Sequence, residues 1–172
     1  MGLITVRPHI RITRYPYEEP FHVNLVLEVC NGRSLARIEY YMDAASLVEW
    51  ADHLEVFPRH NSDVFLFELG SERPEDRWAY YLRLRAFLKD ASGHCALHIR
   101  FNNNQDLPAR EIAEFCLDAE PSQINCLGRL CREFGKLNHA VLDWWVQDGA
   151  LYETIDDAQP SVAADAPQAA RR

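Results

Sequence analysis

The stretch from Trp78 to Asn102, WAYYLRLRAFLKDASGHCALHIRFN, limits the fold more than any other part of this sequence. Apolar and polar residues alternate on both sides of Asp90, Ala91, Ser92 and Gly93, which is the period of two half-buried strands joined by a turn. Pairing Lys89 with His94 across that turn sets Phe87 opposite Ala96, Arg85 opposite His98 and Arg83 opposite Arg100. The other face then collects Leu82, Leu84, Ala86 and Leu88 with Cys95, Leu97, Ile99 and Phe101. All eight are apolar, and a slip of one residue would bury the charges instead, so this register is preferred.

The same hairpin disposes of a tempting metal pair. His94 and His98 stand four residues apart, and on a helix they would share a face. On a strand, four residues of extended chain separate their Cα atoms by roughly 13 Å, too far for one ion held at ~2.0–2.1 Å by both rings. Cys126 and Cys131, five apart on an expected helix, diverge by about 140° and make a poor zinc pair. No metal and no cofactor are expected.

Around the hairpin the chain alternates between the two periods. Leu3 to Tyr15, "FHVNLVLEVC" and "LARIEYYM" read as three strands of a meander, broken once by Pro16 and Pro20 and turned once at Asn31-Gly32. The period then changes at Asp43, the expected N-cap, and Leu47, Trp50, Ala51, Leu54 and Phe57 form a helical stripe ended by Pro58. "DVFLFEL" reads as a short strand, and "AREIAEFCLDA" as a last strand with Ala113, Phe115 and Leu117 inward, a helix being the alternative. Pro121 opens a second helix carrying Ile124, Leu127, Leu130, Cys131, Phe134 and Leu137. "AVLDWW" extends that helix or packs separately. The resulting expectation is one α+β domain over residues 1–152, a six- or seven-stranded mostly antiparallel sheet with two helices packed on one face, and a disordered tail over 153–172.

The polar face of the hairpin carries Arg83, Arg85, Lys89, His94, His98 and Arg100, with Tyr81 and Phe87 among them. Like charges directly opposite cost stability, so something must neutralise them. One reading is a salt ladder with Glu114, Asp118, Glu28 and Glu39. A second is a binding face made of Arg83, Arg85, His98, Arg100, Tyr81 and Phe87, which would hold an anion or a carboxylate-rich partner. A third, acid-base catalysis by His98 beside Arg85, lacks a nucleophile, because Ser92 lies in the turn and Cys95 faces the core. No catalytic residue is therefore assigned, and the chain is read as leaning away from an enzyme.

Lys and Arg number 18 against 26 Asp and Glu, a net charge of -8. That balance excludes a general phosphate-tracking nucleic-acid binder and suits a basic protein partner, which the acidic runs Glu18-Glu19 and Glu72 to Asp76 could meet if they are more than solvated loop. No apolar run approaches the ~18 residues of a membrane span, and the first residues alternate rather than forming a signal-peptide block, so a cytoplasmic location is expected. The five cysteines lack CxxC spacing and have apolar neighbours, which reads as reduced core thiols. Of Trp144 and Trp145, one is expected to cap the core and the other to be half exposed, as surface or as a stacking anchor.

The order of these signals, an early hairpin, a helix with a Trp-bearing stripe, "YYLRLRAFLKDASGHCALHIRF", then Glu120-Pro121 opening a helix that ends near Phe134, resembles a group of small bacterial proteins. In that group an aromatic-rich strand, a D-x-x-G-H turn, an alternating strand and a terminal helix follow one another, and some members are regarded as immunity proteins of polymorphic toxin systems. The resemblance spans residues 20–137. It implies an α+β domain and a non-enzymatic, protein-occluding role, and it carries no catalytic residue onto this chain.

Overall fold

The computed structural model describes residues 6–145 and 148–160. Nine strands and two helices follow one another as β1 (His9–Tyr15), β2 (His22–Cys30), β3 (Leu35–Asp43), α1 (Ala45–Leu54), β4 (Val64–Gly70), β5 (Tyr81–Leu88), β6 (Cys95–Asn102), β7 (Ile112–Ala119), α2 (Pro121–Phe134), β8 (Val141–Trp145) and β9 (Asp148–Tyr152). They build two antiparallel sheets, one of five strands in the order β3-β2-β1-β8-β9 and one of four in the order β4-β5-β6-β7.

This corrects the expected single sheet of six or seven strands with both helices on one face. The chain leaves the first sheet through α1 and begins the second at β4, then returns to the first through α2. The segment "AVLDWW" adds to the first sheet a strand that its sequence does not announce. It is neither helix extension nor separate packing but β8, seated between β1 and β9. Val141, Leu142, Asp143 and Trp144 are all buried. A strand covered on both faces shows no alternation, so its period is invisible in the sequence. Asp143 tolerates burial because Arg11 holds it with two bonds, Nε to Oδ1 at 2.5 Å and Nη2 to Oδ2 at 2.6 Å.

Both sheets turn their apolar faces to one core that also takes in both helices. The meander is antiparallel as expected, and Asn31 shapes its β2–β3 turn by accepting hydrogen bonds from the Arg33 and Ser34 amides. Helix α1 starts without the expected cap. Asp43 remains the last residue of β3, facing His22 at 3.1 Å, and Ala44 holds the N-cap position with no side-chain bond. Helix α2 is better finished: Glu120 and Gln123 form a reciprocal capping box behind Pro121. Its stripe of Ile124, Leu127, Cys131 and Phe134 is buried, each large side chain contributing roughly 1.5–3 kcal/mol. Gly128 brings α2 so close to the end of α1 that a Cβ there would lie 2.5 Å from the Glu55 nitrogen. Asn125 completes the contact by donating to the carbonyls of Leu54 and Phe57.

Beyond Tyr152 the chain runs in turns to residue 160, and Arg11 donates to the Gln159 carbonyl at 2.5 Å. The rest of the expected tail, residues 161–172, lies outside the described residues.

Candidate functional site on the four-stranded sheet

The register read from the hairpin is the one the fold adopts. Lys89 donates its amide to the His94 carbonyl at 2.8 Å, and Phe87 faces Ala96, Arg85 faces His98 and Arg83 faces Arg100. The flanking strands β4 and β7 extend these pairs into rows across the outer face. One row is Val64, Phe87, Ala96 and Asp118; the next is Leu66, Arg85, His98 and Cys116; the third is Glu68, Arg83, Arg100 and Glu114. Leu82, Ala86, Cys95, Leu97, Ile99 and Phe101 fill the inner face, with Leu84 and Leu88 packed against it.

Glu114 is the hub of the basic rows. It takes His98 Nε2 at 2.9 Å and Arg100 Nη1 at 2.8 Å, with Arg83 Nη2 at 3.8 Å. Arg100 uses its remaining fork on Glu72, with Nε and Nη2 at 2.9 and 2.8 Å. Lys89 reaches Asp118 at 2.9 Å, and Tyr81 donates its hydroxyl to Glu68 at 2.7 Å. Burial and then the neighbouring Glu68 push the Tyr81 phenol up to about 12. His94 stands in the turn against Asp90 at 2.7 Å, and that hydrogen bond, with the charges of Asp90 and Glu120, raises its pKa.

Two of the acids expected to serve this face do not. Glu28 and Glu39 belong to the five-stranded sheet, where Glu28 meets His9 at 2.9 Å and Glu39 accepts from Asn24 at 3.0 Å. Their place is taken by Glu72, whose acidic run reads in the sequence as solvated loop. The loop after β4 folds its carboxylate back onto the sheet, and the Arg100 hydrogen bonds hold its pKa below the ordinary glutamate value. No local pattern signals this, because the contact joins residues 28 apart.

Arg85 differs from its neighbours. It makes no ion pair among the described residues, and its guanidinium lies 4.6 Å from the centre of the Phe87 ring. Beside it on edge strand β4, Leu66 is 52% exposed and Val64 39%. These two were missed because the run "VFLF" is apolar on both faces, although Phe65 and Phe67 pack inward against Trp50 and leave Val64 and Leu66 outward. Cys116 was also misplaced as a core thiol. With Phe115 and Leu117 inward, the alternation of β7 turns it outward, and it is exposed.

The constellation has little catalytic reach. Partial burial of the sulfur, followed by the charges of Asp118 and Glu114, raises the Cys116 thiol pKa, so this residue of the Arg85–His98 row is held as thiol. Cys95 is buried and also raised, first by burial. Among the described residues no group of three or more His, Cys, Asp or Glu could hold a metal ion, and no helix is long and apolar enough to cross a membrane. Comparison of the chain with protein-family models, with curated proteins and with solved structures found no match.

Proposed function

We propose that the chain is a non-enzymatic protein-interaction module that occludes a partner with the outer face of its four-stranded sheet. The observation that carries this reading is the patch of Val64, Leu66, Phe87 and Arg85. It joins the exposed Val64 and Leu66 and the half-buried Phe87 to a guanidinium that has no carboxylate of its own among the described residues. Aromatic and arginine side chains flanked by apolar surface are the usual anchors of protein interfaces. The patch borders β4, whose outer edge has no strand beside it among the described residues and can accept an extended segment of a partner. A net charge of -8 would favour the approach of a basic partner, and an immunity-like role as implied by the resemblance is one form such binding could take. Five free thiols suit a cytoplasmic setting.

A small-anion site made of Arg83, Arg85, His98 and Arg100 is the weaker reading. Glu114 already engages three of those four side chains, so an incoming anion would have to displace it. The test is a pull-down from native-host lysate with the wild type and with Leu66→Glu and Arg85→Glu. The expected result is a stoichiometric partner retained by the wild type and lost by both variants. Equal capture by all three proteins would refute the assignment to this face.

A further inference from the structure

At the β7 border of that face, where Cys116 and Asp118 belong to both, a cleft of about 740 Å³ opens between the chain entering β1, the β2–β3 turn, β7 and the first turn of α2. Its size falls within the ~300–1,000 Å³ of small-ligand sites. Arg7, Arg33, Trp145, Gln123, Cys116 and Asp118 contribute to its lining. Two other hollows are less suited to a ligand. The cavity in the core has room for about 30 Å³, and the cleft beside Trp78 mixes Glu72 and Asp106 among its arginines.

The local structure explains how these residues meet. Trp144 and Trp145 are successive on β8 and so point to opposite sides. Trp144 is wholly buried and donates Nε1 to the Gln123 carbonyl at 2.9 Å, which leaves Trp145 half-buried at the cleft. At Gly32, where φ is +90°, a Cβ would lie 3.2 Å from the Val6 carbonyl and 3.8 Å from the Pro8 ring. The β2–β3 turn thus packs on the chain entering β1, and Arg33 and Arg7 come from adjoining segments of one wall. Neither makes an ion pair among the described residues, while Asp118 is already held by Lys89. In a protein of net charge -8, two guanidiniums in one cleft with no carboxylate partner among the described residues are an anion-attracting exception.

We propose that this cleft binds a small anion with a flat apolar body, its oxyanion held by Arg7 and Arg33 and its ring laid against Trp145. Guanidinium forks match planar or tetrahedral oxyanions, and an indole offers a stacking face. A carboxylate and a phosphate share this chemistry, and benzoate, phenyl phosphate and inorganic phosphate separate the sources.

Cys116 supplies a local readout, because it is the exposed one of the five thiols and it lines the cleft. The experiment is the rate of its modification by N-ethylmaleimide, located by peptide mass spectrometry, with each of the three anions at millimolar concentration. The proposal expects benzoate, phenyl phosphate or both to slow labelling severalfold, the effective one identifying the oxyanion, and inorganic phosphate to protect less. Arg7→Ala and Arg33→Ala should each weaken protection, and Trp145→Leu should remove the advantage of the ring-bearing anion. The unliganded labelling rate and Tm, unchanged in the arginine variants, report an intact fold. Protection that is absent with both aromatic anions, that survives the double arginine variant, or that inorganic phosphate matches would overturn the proposal.

Discussion

Arg85 stands directly opposite His98 in the β5–β6 ladder, yet the two side chains take different partners. The guanidinium turns along its own strand to lie 4.6 Å from the Phe87 ring centre, and His98 Nε2 meets Glu114 on the next strand at 2.9 Å. Two bases facing each other across a ladder would repel. Here one is steered onto an aromatic face and the other onto a carboxylate, which leaves Arg85 as the basic member of the face without an acid. The Arg83–Arg100 pair is relieved differently, by Glu114 and Glu72 placed on either side of it.

Because Glu114 serves three bases, its removal should be felt more than that of an ordinary surface acid. Burial alone would raise its pKa, but the bonds from His98 and Arg100 outweigh it and the net shift is downward; Glu72 is lowered chiefly by Arg100. A depressed carboxylate adds stability above its unfolded pKa, ~4.3 for Glu, and loses it as pH falls through the folded value. Glu114→Gln should therefore cost about 1 kcal/mol at neutral pH, limited by the exposure of the site. The difference from wild type should shrink below the ordinary glutamate range and in high salt. Urea midpoints across pH and ionic strength measure this.

Asp63 is a stronger case, being 3% exposed between α1 and β4. It accepts from the Arg59 amide at 2.8 Å and lies 3.0 Å from His53 Nε2. Burial pushes its carboxyl up, and the bonds to Arg59 and His53 overcome this and hold it well below the usual range. The sign is the same: stability is present above ~4 and is lost in acid. Asp63→Asn should cost about 2 kcal/mol at neutral pH and flatten the acid limb of the stability curve. An acid limb as steep as that of the wild type would show that other carboxylates set it.

The four-stranded sheet was legible because each of its two central strands buries one face and shows the other. Alternation fixed which of Arg83, Arg85, His98 and Arg100 face together, and it predicted Ala113, Phe115 and Leu117 inward on β7, as found. The same rule turns Cys116 outward, and the apolar neighbours that make it read as a core thiol are the inward Phe115 and Leu117. The five-stranded sheet was legible only up to β3. Strand β8 is buried on both faces, so nothing in its period distinguishes it from buried helix, and its pairing with β1 spans more than a hundred residues. Glu72 and the cleft at Trp145 are products of that long-range folding, not of any local pattern.

The approach of the two helices makes a sharper test of packing. A methyl at Gly128 would meet the Leu54 carbonyl carbon at 2.8 Å and the Glu55 nitrogen at 2.5 Å, and both are backbone atoms that cannot rotate away. Alanine is ~1 kcal/mol better than glycine in a helix interior, so Gly128→Ala would stabilise an isolated helix. In the fold the overlap should win, with a net loss of about 2 kcal/mol or more as the helices are forced apart. Chemical denaturation settles the sign, and a neutral or stabilising result would mean that α2 can slide past α1 at little cost.

Leu66 separates stability from recognition. Its side chain is 52% exposed on edge strand β4, with Arg85 as its cross-strand neighbour, so Leu66→Glu removes little buried area. It also places a carboxylate opposite a guanidinium that has none. The change in folding stability should stay within about 0.5 kcal/mol, as for other surface positions, and the new ion pair makes a small gain as reasonable as a small loss. If the patch serves packing, the variant should lose stability beyond that range and keep partner capture. If it is the anchor of an interface, partner capture should fall sharply while Tm holds, because the glutamate both removes the apolar contact and occupies the arginine that a partner's acid would meet. Thermal unfolding and pull-down on the same preparation of Leu66→Glu distinguish the two roles.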